Sequence, residues 1–197
     1  MSTSGNQRNE PNNNTSPPKP GTRHLWQGAM SYAAWAHRHQ VRKDHKTPYC
    51  AHLARVAMIV SNVFVYYDEP TLAIALLHDT IEDTTTDYDD LSSIFGKTVA
   101  DGVALLTKNM ALPEERREIS YDLQIASAPW NIKLVKLADV YDNLCDVDTS
   151  SPEKVCDRKR DAIDKCGRAI AIARNDASKS QVLQRAAELV EALVAEG

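Results

Sequence analysis

An apolar run over residues 72–77 leads directly into His78, Asp79, Glu82 and Asp83, four ionisable side chains within six positions. Such a run is typical of a buried helix, and charge at its end is costly unless something compensates it. A divalent cation would do so. If one helix continued, residues four apart would share a face, so His78 would lie beside Glu82 and Asp79 beside Asp83. The sequence therefore predicts a metal site here, with acids one turn further on that can move protons.

A solvated acidic turn that caps the next helix would explain Glu82 and Asp83 equally well. Two distant residues favour the metal site. His52 lies in the first turn of a predicted helix, and Asp139 stands inside an apolar helical run, where a lone carboxylate needs a cation. Two imidazoles and two carboxylates suit manganese, iron or zinc better than calcium. Spacing alone leaves open whether the distant pair joins His78 and Asp79.

Helical periodicity recurs along most of the chain. The only 7 glycines, and the abundance of alanine, leucine and charged residues, favour helices over strands. Residues 109–117 are polar and charged and are expected to form a connection. The predicted fold class is all-α, with no convincing strand. The predicted helices cover residues 23–40, 50–66, 69–79, 87–95, 99–107, 118–128, 153–174 and 178–195, and a further helix is opened by Pro129 and carries Asp139 and Asn143.

The chain of 197 residues is long enough for one domain. Residues 1–22 are rich in Asn, Ser, Thr, Pro and Gly and have no apolar periodicity, so they are predicted to form a disordered N-terminal tail. Residues 23–197 are predicted to form a single domain. The sequence does not predict an oligomeric state.

Charge and hydropathy exclude several classes of function. A net charge of −4 argues against a general nucleic-acid binder, which would carry a basic face. No stretch is apolar enough to span a membrane, and the N-terminus lacks a signal core, so a cytoplasmic protein is expected. None of the four cysteines forms a Cys-x-x-Cys pair, which argues against a zinc knuckle.

The loop over residues 41–49 is strongly basic and is broken by Pro48. It contains Arg42 and Lys43 and leads straight into His52. A solvated charged loop is the ordinary interpretation of such a run. Its position before a candidate metal ligand makes a phosphate-binding role an equally good hypothesis.

The order His52, His78-Asp79, Asp139 on helices resembles the HD phosphohydrolase superfamily. Longer segments over residues 27–147 resemble the hydrolase domain of the RelA/SpoT family. These segments are Arg42-Lys43, Thr47-Pro48-Tyr49 with His52, residues 75–84, Phe95-Gly96, Val103 with Thr107-Lys108, and Lys133 with residues 136–139 and Asn143-Leu144. The resemblance implies an HD-domain helical bundle over residues 23–197. No synthetase, TGS or ACT region follows, so we expect a small alarmone hydrolase similar to the metazoan SpoT homologues.

The resemblance also implies an activity and a role for each matching residue. Such enzymes use Mn²⁺, or another divalent transition metal, to remove the 3′-pyrophosphate of ppGpp and pppGpp, giving GDP or GTP plus pyrophosphate. The only expected partner is therefore a guanosine polyphosphate substrate, with no nucleic acid and no membrane. By position, the metal ligands are His52, His78, Asp79 and Asp139, the acids that activate water are Glu82 and Asp83, and the substrate-binding residues are Arg42, Lys43 and Asn143.

The chain departs from the family pattern at three places. Leu53 replaces the usual proline after the histidine, and Cys145 stands where an arginine usually follows. The helix after residue 152 lacks the aromatic residues of the metazoan homologue. These changes affect base and phosphate recognition rather than the metal residues. Two alternatives therefore remain open: another HD nucleotide phosphohydrolase, such as an NADPH 2′-phosphatase, or a non-catalytic nucleotide-binding module, which would not need the acids at 82 and 83.

Overall fold

A computed structural model describes residues 23–149 and 155–196, together with Pro17 and Gly21, and the side chains at 148 and 149 are outside this description. The predicted tail over residues 1–22 otherwise lies outside the described residues, so its disorder stays a prediction. The α-helices are α1 (Leu25–Ala36), α2 (Cys50–Met58), α3 (Glu69–Leu77), α4 (Thr80–Asp83), α5 (Tyr88–Phe95), α6 (Lys97–Leu106), α7 (Glu114–Ser127), α8 (Trp130–Cys145), α9 (Val155–Arg174) and α10 (Gln181–Glu196).

The predicted all-α fold class is confirmed. In the described ranges the only extended pairing is an isolated antiparallel bridge between Val41 and Pro48, which closes the basic loop before α2. A π-helical turn, Ile59–Val63, continues α2, so the helix ends close to the predicted boundary. No helix in the described part of the chain combines the length and the apolar character needed to cross a membrane.

Helix α3 is the centre of the fold, and it packs against α1, α2, α6 and α8. Its residues 71–77 are all buried, as the apolar run predicts. Each fully buried leucine or isoleucine contributes about 1.5–3 kcal/mol to the hydrophobic free energy of folding. Gly102 allows α6 to approach α3 closely, because a Cβ atom there would clash with the side chain of Ile74. The burial of α3 therefore fixes the position of the residues that follow it.

Helix α3 begins where the sequence predicts, with Asp68 accepting a hydrogen bond from the Thr71 N–H and Pro70 in the first turn. It ends at Leu77, two residues before the predicted boundary at residue 79. The backbone at Asp79 (φ −96°, ψ 0°) departs from the ideal α-helical ψ of about −42° and precedes the separate helix α4. Glu82 and Asp83 therefore lie on the short helix α4, and the Asp83 N–H donates to the carbonyl oxygen of Asp79 at 2.9 Å.

Helix α7 also differs from the prediction, because it begins at Glu114 rather than at residue 118. Pro113 precedes its first turn, and Glu114 and Glu115 lie within that turn, where carboxylates interact favourably with the helix dipole. The connection predicted over residues 109–117 is correspondingly shorter. Helix α5 is capped by Asp87, whose side chain accepts from the Asp90 N–H, and it is followed by Gly96 at φ 84°.

Candidate metal centre and its cavity

Four potential ligands from three helical regions meet at the edge of the core. His52 comes from the first turn of α2, His78 and Asp79 follow α3, and Asp139 lies within α8. Nε2 of His52 is 3.4 Å from Oδ1 of Asp139 and 3.6 Å from Oδ2 of Asp79. Nε2 of His78 is 3.2 Å from Oδ2 of Asp79 and 3.7 Å from Oδ1 of Asp139. The fold thus brings together the residues that spacing alone could not connect.

The two imidazoles are oriented by contacts on their outer nitrogens. Nδ1 of His52 lies 2.7 Å from Oδ2 of Asp142, and Nδ1 of His78 lies 2.9 Å from the carbonyl oxygen of Ala75. Both partners are acceptors, so each Nδ1 carries the hydrogen and each Nε2 turns its lone pair toward the cluster. Nε2 of His78 is buried and has no hydrogen-bond partner among the described residues. Metal-binding histidines characteristically have this arrangement.

The donor set fits a divalent transition metal. One ligand atom from each of His52, His78 and Asp139 lies within 4.8 Å of the others. Burial opposes ionisation of Asp79, but the adjacent His78 outweighs it and holds the pKa of the Asp79 carboxyl below its usual range. Burial likewise opposes ionisation of Asp139, and Lys136 and the two histidines hold its pKa well below the ordinary value. Two ionised carboxylates at one buried point repel each other, and a cation would relieve that repulsion.

Asp142 and Arg55 support the cluster from outside, and sequence reasoning missed both. Arg55 binds the Asp142 carboxylate with two hydrogen bonds, Nε to Oδ1 at 2.6 Å and Nη2 to Oδ2 at 2.9 Å. Burial opposes ionisation of Asp142, but its hydrogen bonds to His52 and Arg55 keep its pKa below the usual range. The signal in the sequence is the i, i+3 spacing of Asp142 from Asp139, which places both on the buried side of α8.

Glu82 and Asp83 lie in the same cavity but are held by different groups. Oε2 of Glu82 accepts the backbone N–H of Lys108 at 2.8 Å. The Tyr49 hydroxyl donates to Oδ2 of Asp79 at 2.7 Å and lies 3.2 Å from Oδ2 of Asp83. Burial, together with the charge of Asp79, raises the pKa of both the Glu82 and the Asp83 carboxyl. Since Asp87 caps the next helix, these two acids do not serve as its cap.

Arg42 is linked to the cluster through Asn143. Nη2 of Arg42 donates to Oδ1 of Asn143 at 2.8 Å, and Nδ2 of Asn143 donates to Oδ1 of Asp139 at 2.6 Å. Nε of Arg42 also donates to Oδ2 of Asp146 at 2.9 Å, and its guanidinium carbon lies 5.5 Å from the centre of the Tyr49 ring. Arg42 is thus a well-positioned residue and not part of a solvated loop.

A cavity of about 370 Å³ is lined by the potential metal ligands, the two acids and residues of the basic loop. Its volume is within the range of small-molecule sites. The nine residues predicted from the sequence all line it, namely His52, His78, Asp79, Asp139, Glu82, Asp83, Arg42, Lys43 and Asn143. The fold therefore places potential metal ligands, acids and cations around one space.

Comparison with known proteins gives consistent matches. The HD domain family matches residues 29–164. The chain is 37% identical over 133 residues to guanosine-3′,5′-bis(diphosphate) 3′-pyrophosphohydrolase MESH1 of Drosophila melanogaster, covering 67% of this chain and 74% of that protein. The corresponding Danio rerio protein is 42% identical over 128 residues, covering 63% of this chain and 69% of that protein.

A solved structure of a SpoT-related protein also matches this chain. It is the structure of a protein described as a metazoan ortholog of SpoT that hydrolyzes ppGpp and plays a role in starvation responses, and it matches with a TM-score of 0.71 and 30% identity. The match covers 89% of this chain and 96% of the other. The chain therefore belongs to the HD domain family and, within it, to the SpoT-related group that includes these metazoan proteins.

Proposed function

We propose that this protein is a metal-dependent phosphohydrolase that removes the 3′-pyrophosphate of ppGpp and pppGpp, giving GDP or GTP plus pyrophosphate. One structural observation carries the proposal: the imidazole and carboxylate cluster, the two acids at 82 and 83 and the basic residues all line one cavity. The relatives named as 3′-pyrophosphohydrolases support the choice of substrate.

In this proposal His52, His78, Asp79 and Asp139 hold the metal, and the donor types are consistent with Mn²⁺. The metal would supply Lewis acidity toward the phosphate group and a water molecule. The outer contacts of the two histidines keep their Nε2 lone pairs directed at the cluster. The protein thereby orients its ligands before the metal arrives, which reduces the reorganisation needed on binding.

Glu82 is the proposed proton acceptor for the attacking water. The Lys108 N–H fixes one carboxylate oxygen, Oε2, and leaves Oε1 as the acceptor. A carboxyl with a raised pKa is a better base than an ordinary glutamate, although it must still be ionised at the working pH. Asp83 is a second carboxylate that lines the same cavity, and it shares the Tyr49 hydroxyl with Asp79.

Arg42, Lys43 and Asn143 are the proposed substrate-binding residues. Arg42 presents a guanidinium that is fixed by Asp146 and Asn143, so little side-chain entropy is lost when it meets a phosphate or a base. Asn143 contacts both Arg42 and Asp139, which places it between the phosphate-binding and metal-binding parts of the cavity. The single domain over residues 23–197 and the cytoplasmic location stay predictions.

Product identification tests this function. Purified protein with Mn²⁺ is incubated with ppGpp, pppGpp, NADPH and nucleoside monophosphates, and the products are separated by anion-exchange chromatography. We expect GDP or GTP plus pyrophosphate from the first two substrates. Phosphate released from NADPH or from the monophosphates alone would identify a different nucleotide phosphohydrolase. Tight nucleotide binding with no product from any substrate would indicate a binding module.

A further inference from the structure

A substrate with phosphate groups on both the 3′ and the 5′ oxygen of a ribose poses a problem of charge. Only the reacting 3′ group can meet the metal cluster, so the 5′-diphosphate must be neutralised elsewhere in the cavity. Arg42 is held by Asp146 and by Asn143, which contacts Asp139, so it belongs to the part of the cavity that meets the reacting group. The question is which other cations along the cavity are available.

Two of the lining lysines are already paired. Nζ of Lys136 donates to Oδ2 of Asp139 at 2.8 Å, and Nζ of Lys108 donates to Oε1 of Glu118 at 2.6 Å. Both ammonium groups are therefore neutralised by the protein. Neither is a ready partner for a second polyphosphate group.

Helix α9 contributes a different set of charges. Arg158, Asp161, Ala162 and Lys165 all line the cavity, and their spacing places them on one face of the helix. Nη1 of Arg158 is buried and has no hydrogen-bond partner in the described part of the chain. Nζ of Lys165 binds Oδ2 of Asp161 at 2.7 Å, so that this face keeps one uncompensated positive charge. An orphaned guanidinium nitrogen on a cavity wall is costly unless a ligand accepts from it.

Lys43 faces these cations from the basic loop. It makes no ion pair with any described residue, and it lines the same cavity. Partial burial, and then the positive charges of Lys165, Arg158 and Arg42, lower the pKa of its ammonium group. Cations from the loop and from α9 thus act on one another across the cavity, and an anion bound between them would relieve the repulsion.

We propose that Arg158 of α9, together with Lys43, forms a subsite for the non-reacting 5′-diphosphate of the substrate. This inference rests on the proposed function and names the part of the substrate that α9 recognises. Arg158 is the central residue, because guanidinium N–H groups match the geometry of phosphate oxygens.

Binding of GDP tests the subsite without hydrolysis. The affinity of chelator-treated protein for GDP is measured by calorimetry for wild type, Arg158→Gln and Arg158→Lys. Loss of a charge-assisted hydrogen bond should weaken GDP binding about ten-fold in Arg158→Gln, with partial recovery in Arg158→Lys. The matched control is Arg160→Gln, since Arg160 is exposed on the same helix, pairs with Asp157 and does not line the cavity. Equal affinity in wild type and Arg158→Gln, or no GDP binding by wild type, would overturn the subsite.

Kinetics with two substrates test the same claim during turnover. With Mn²⁺, Arg158→Gln should raise KM for ppGpp about ten-fold and leave kcat within about two-fold. With guanosine 3′-diphosphate, which lacks the 5′ group, the variant should match wild type. An equal rise in KM for both substrates would contradict the assignment to the 5′-diphosphate. If wild type hydrolyses neither substrate, the proposed function fails, while the GDP measurement still decides the subsite.

Discussion

Nδ1 of His52 lies 2.7 Å from Oδ2 of Asp142, and this contact determines which ring nitrogen faces the metal cluster. Arg55 holds the same carboxylate with two hydrogen bonds and lies 3.2 Å from Asp146. Asp146 binds Arg42, which reaches Asp139 through Asn143. A continuous set of contacts thus leads from one potential ligand, through the basic loop, to another. The metal and substrate parts of the cavity share their supporting residues.

Replacing Asp142 by Asn should weaken metal binding about 10–100-fold, the usual effect of losing the outer partner of a ligating histidine. The amide can donate to Nδ1, which would move the ring hydrogen to Nε2 and remove the lone pair from the cluster. Manganese affinity is measured by titration into chelator-treated protein. Asp122→Asn is the control, because Asp122 pairs with Arg168 away from this cavity. Unchanged affinity in Asp142→Asn would show that the contact does not position His52.

Replacing Glu82 by Gln should reduce kcat by roughly 10²–10⁴-fold with little change in metal or nucleotide affinity. The amide oxygen can still accept the Lys108 N–H, so the local backbone is preserved while the basic site is lost. Rates, metal content and nucleotide affinity are measured on the same preparations. Glu115→Gln, an exposed position in the first turn of α7, is the control.

The companion variant Asp83→Asn separates the two acids. Non-additive losses in the double variant would indicate that both groups act on one proton path. Full activity in the double variant would contradict a catalytic role for the pair. Loss of metal from either single variant would instead make that residue a ligand.

Replacing Arg42 by Ala should raise KM roughly ten-fold, because one charge-assisted contact to the substrate is lost. Arg42 also holds Asn143, so we expect a smaller fall in kcat as Asn143 loses its position beside Asp139. Arg38→Ala is the control, because its guanidinium packs over the Trp35 ring, 4.8 Å from the ring centre. Steady-state kinetics identical to wild type would show that the loop is a solvated charged segment with no role in substrate binding.

Much of the fold and of the candidate site could be predicted from the sequence. The apolar run before His78 indicates the buried helix α3, and the lone carboxylate of Asp139 in an apolar helix indicates a cation. The end of α3 at Leu77, before the predicted boundary at residue 79, was not predicted, because residues 78–83 contain no Gly or Pro that would mark the end of a helix. The start of α7 was missed because its first turn is charged and lacks apolar periodicity.

Asp142 shows why some supporting residues cannot be identified from the sequence alone. Its role depends on contacts with His52 and Arg55, which are distant along the chain and meet it only in the folded protein. Lys133 is a second case. It belongs to one of the segments that resemble the family, and it is 2% exposed and binds Oδ2 of Asp176 at 2.5 Å and the carbonyl oxygen of Ala126 at 2.8 Å. Its position indicates a structural role at the start of the helix that carries Asp139.

Replacing Asp176 by Asn should destabilise the fold near neutral pH, because the buried Lys133 ammonium would lose its carboxylate. Hydrogen bonds from Lys133 and Lys179 lower the pKa of Asp176 in the folded protein. The contribution of Asp176 to the free energy of unfolding is thus complete above its unfolded pKa of about 4, and it is lost as the pH falls through the lower folded pKa. The difference between wild type and variant should therefore shrink in acid.

Denaturant unfolding at several pH values measures this difference. Asp101→Asn is the matched control, since Lys97 also lowers the pKa of Asp101, but that pair is exposed and contributes little to stability. A difference for Asp176→Asn that is small at neutral pH, or that grows in acid, would contradict the structural role of the buried pair.

Manganese titration of chelator-treated protein, with pyrophosphate release from ppGpp followed in the same samples, tests the central claim most directly. Wild type should gain activity in proportion to bound metal and reach its maximum at one metal per chain. The double variant His78→Ala, Asp79→Ala should lose both metal and activity, because it lacks one imidazole and one carboxylate of the cluster. Full hydrolysis by metal-free wild type, or wild-type metal content in the double variant, would contradict the assignment of the metal centre.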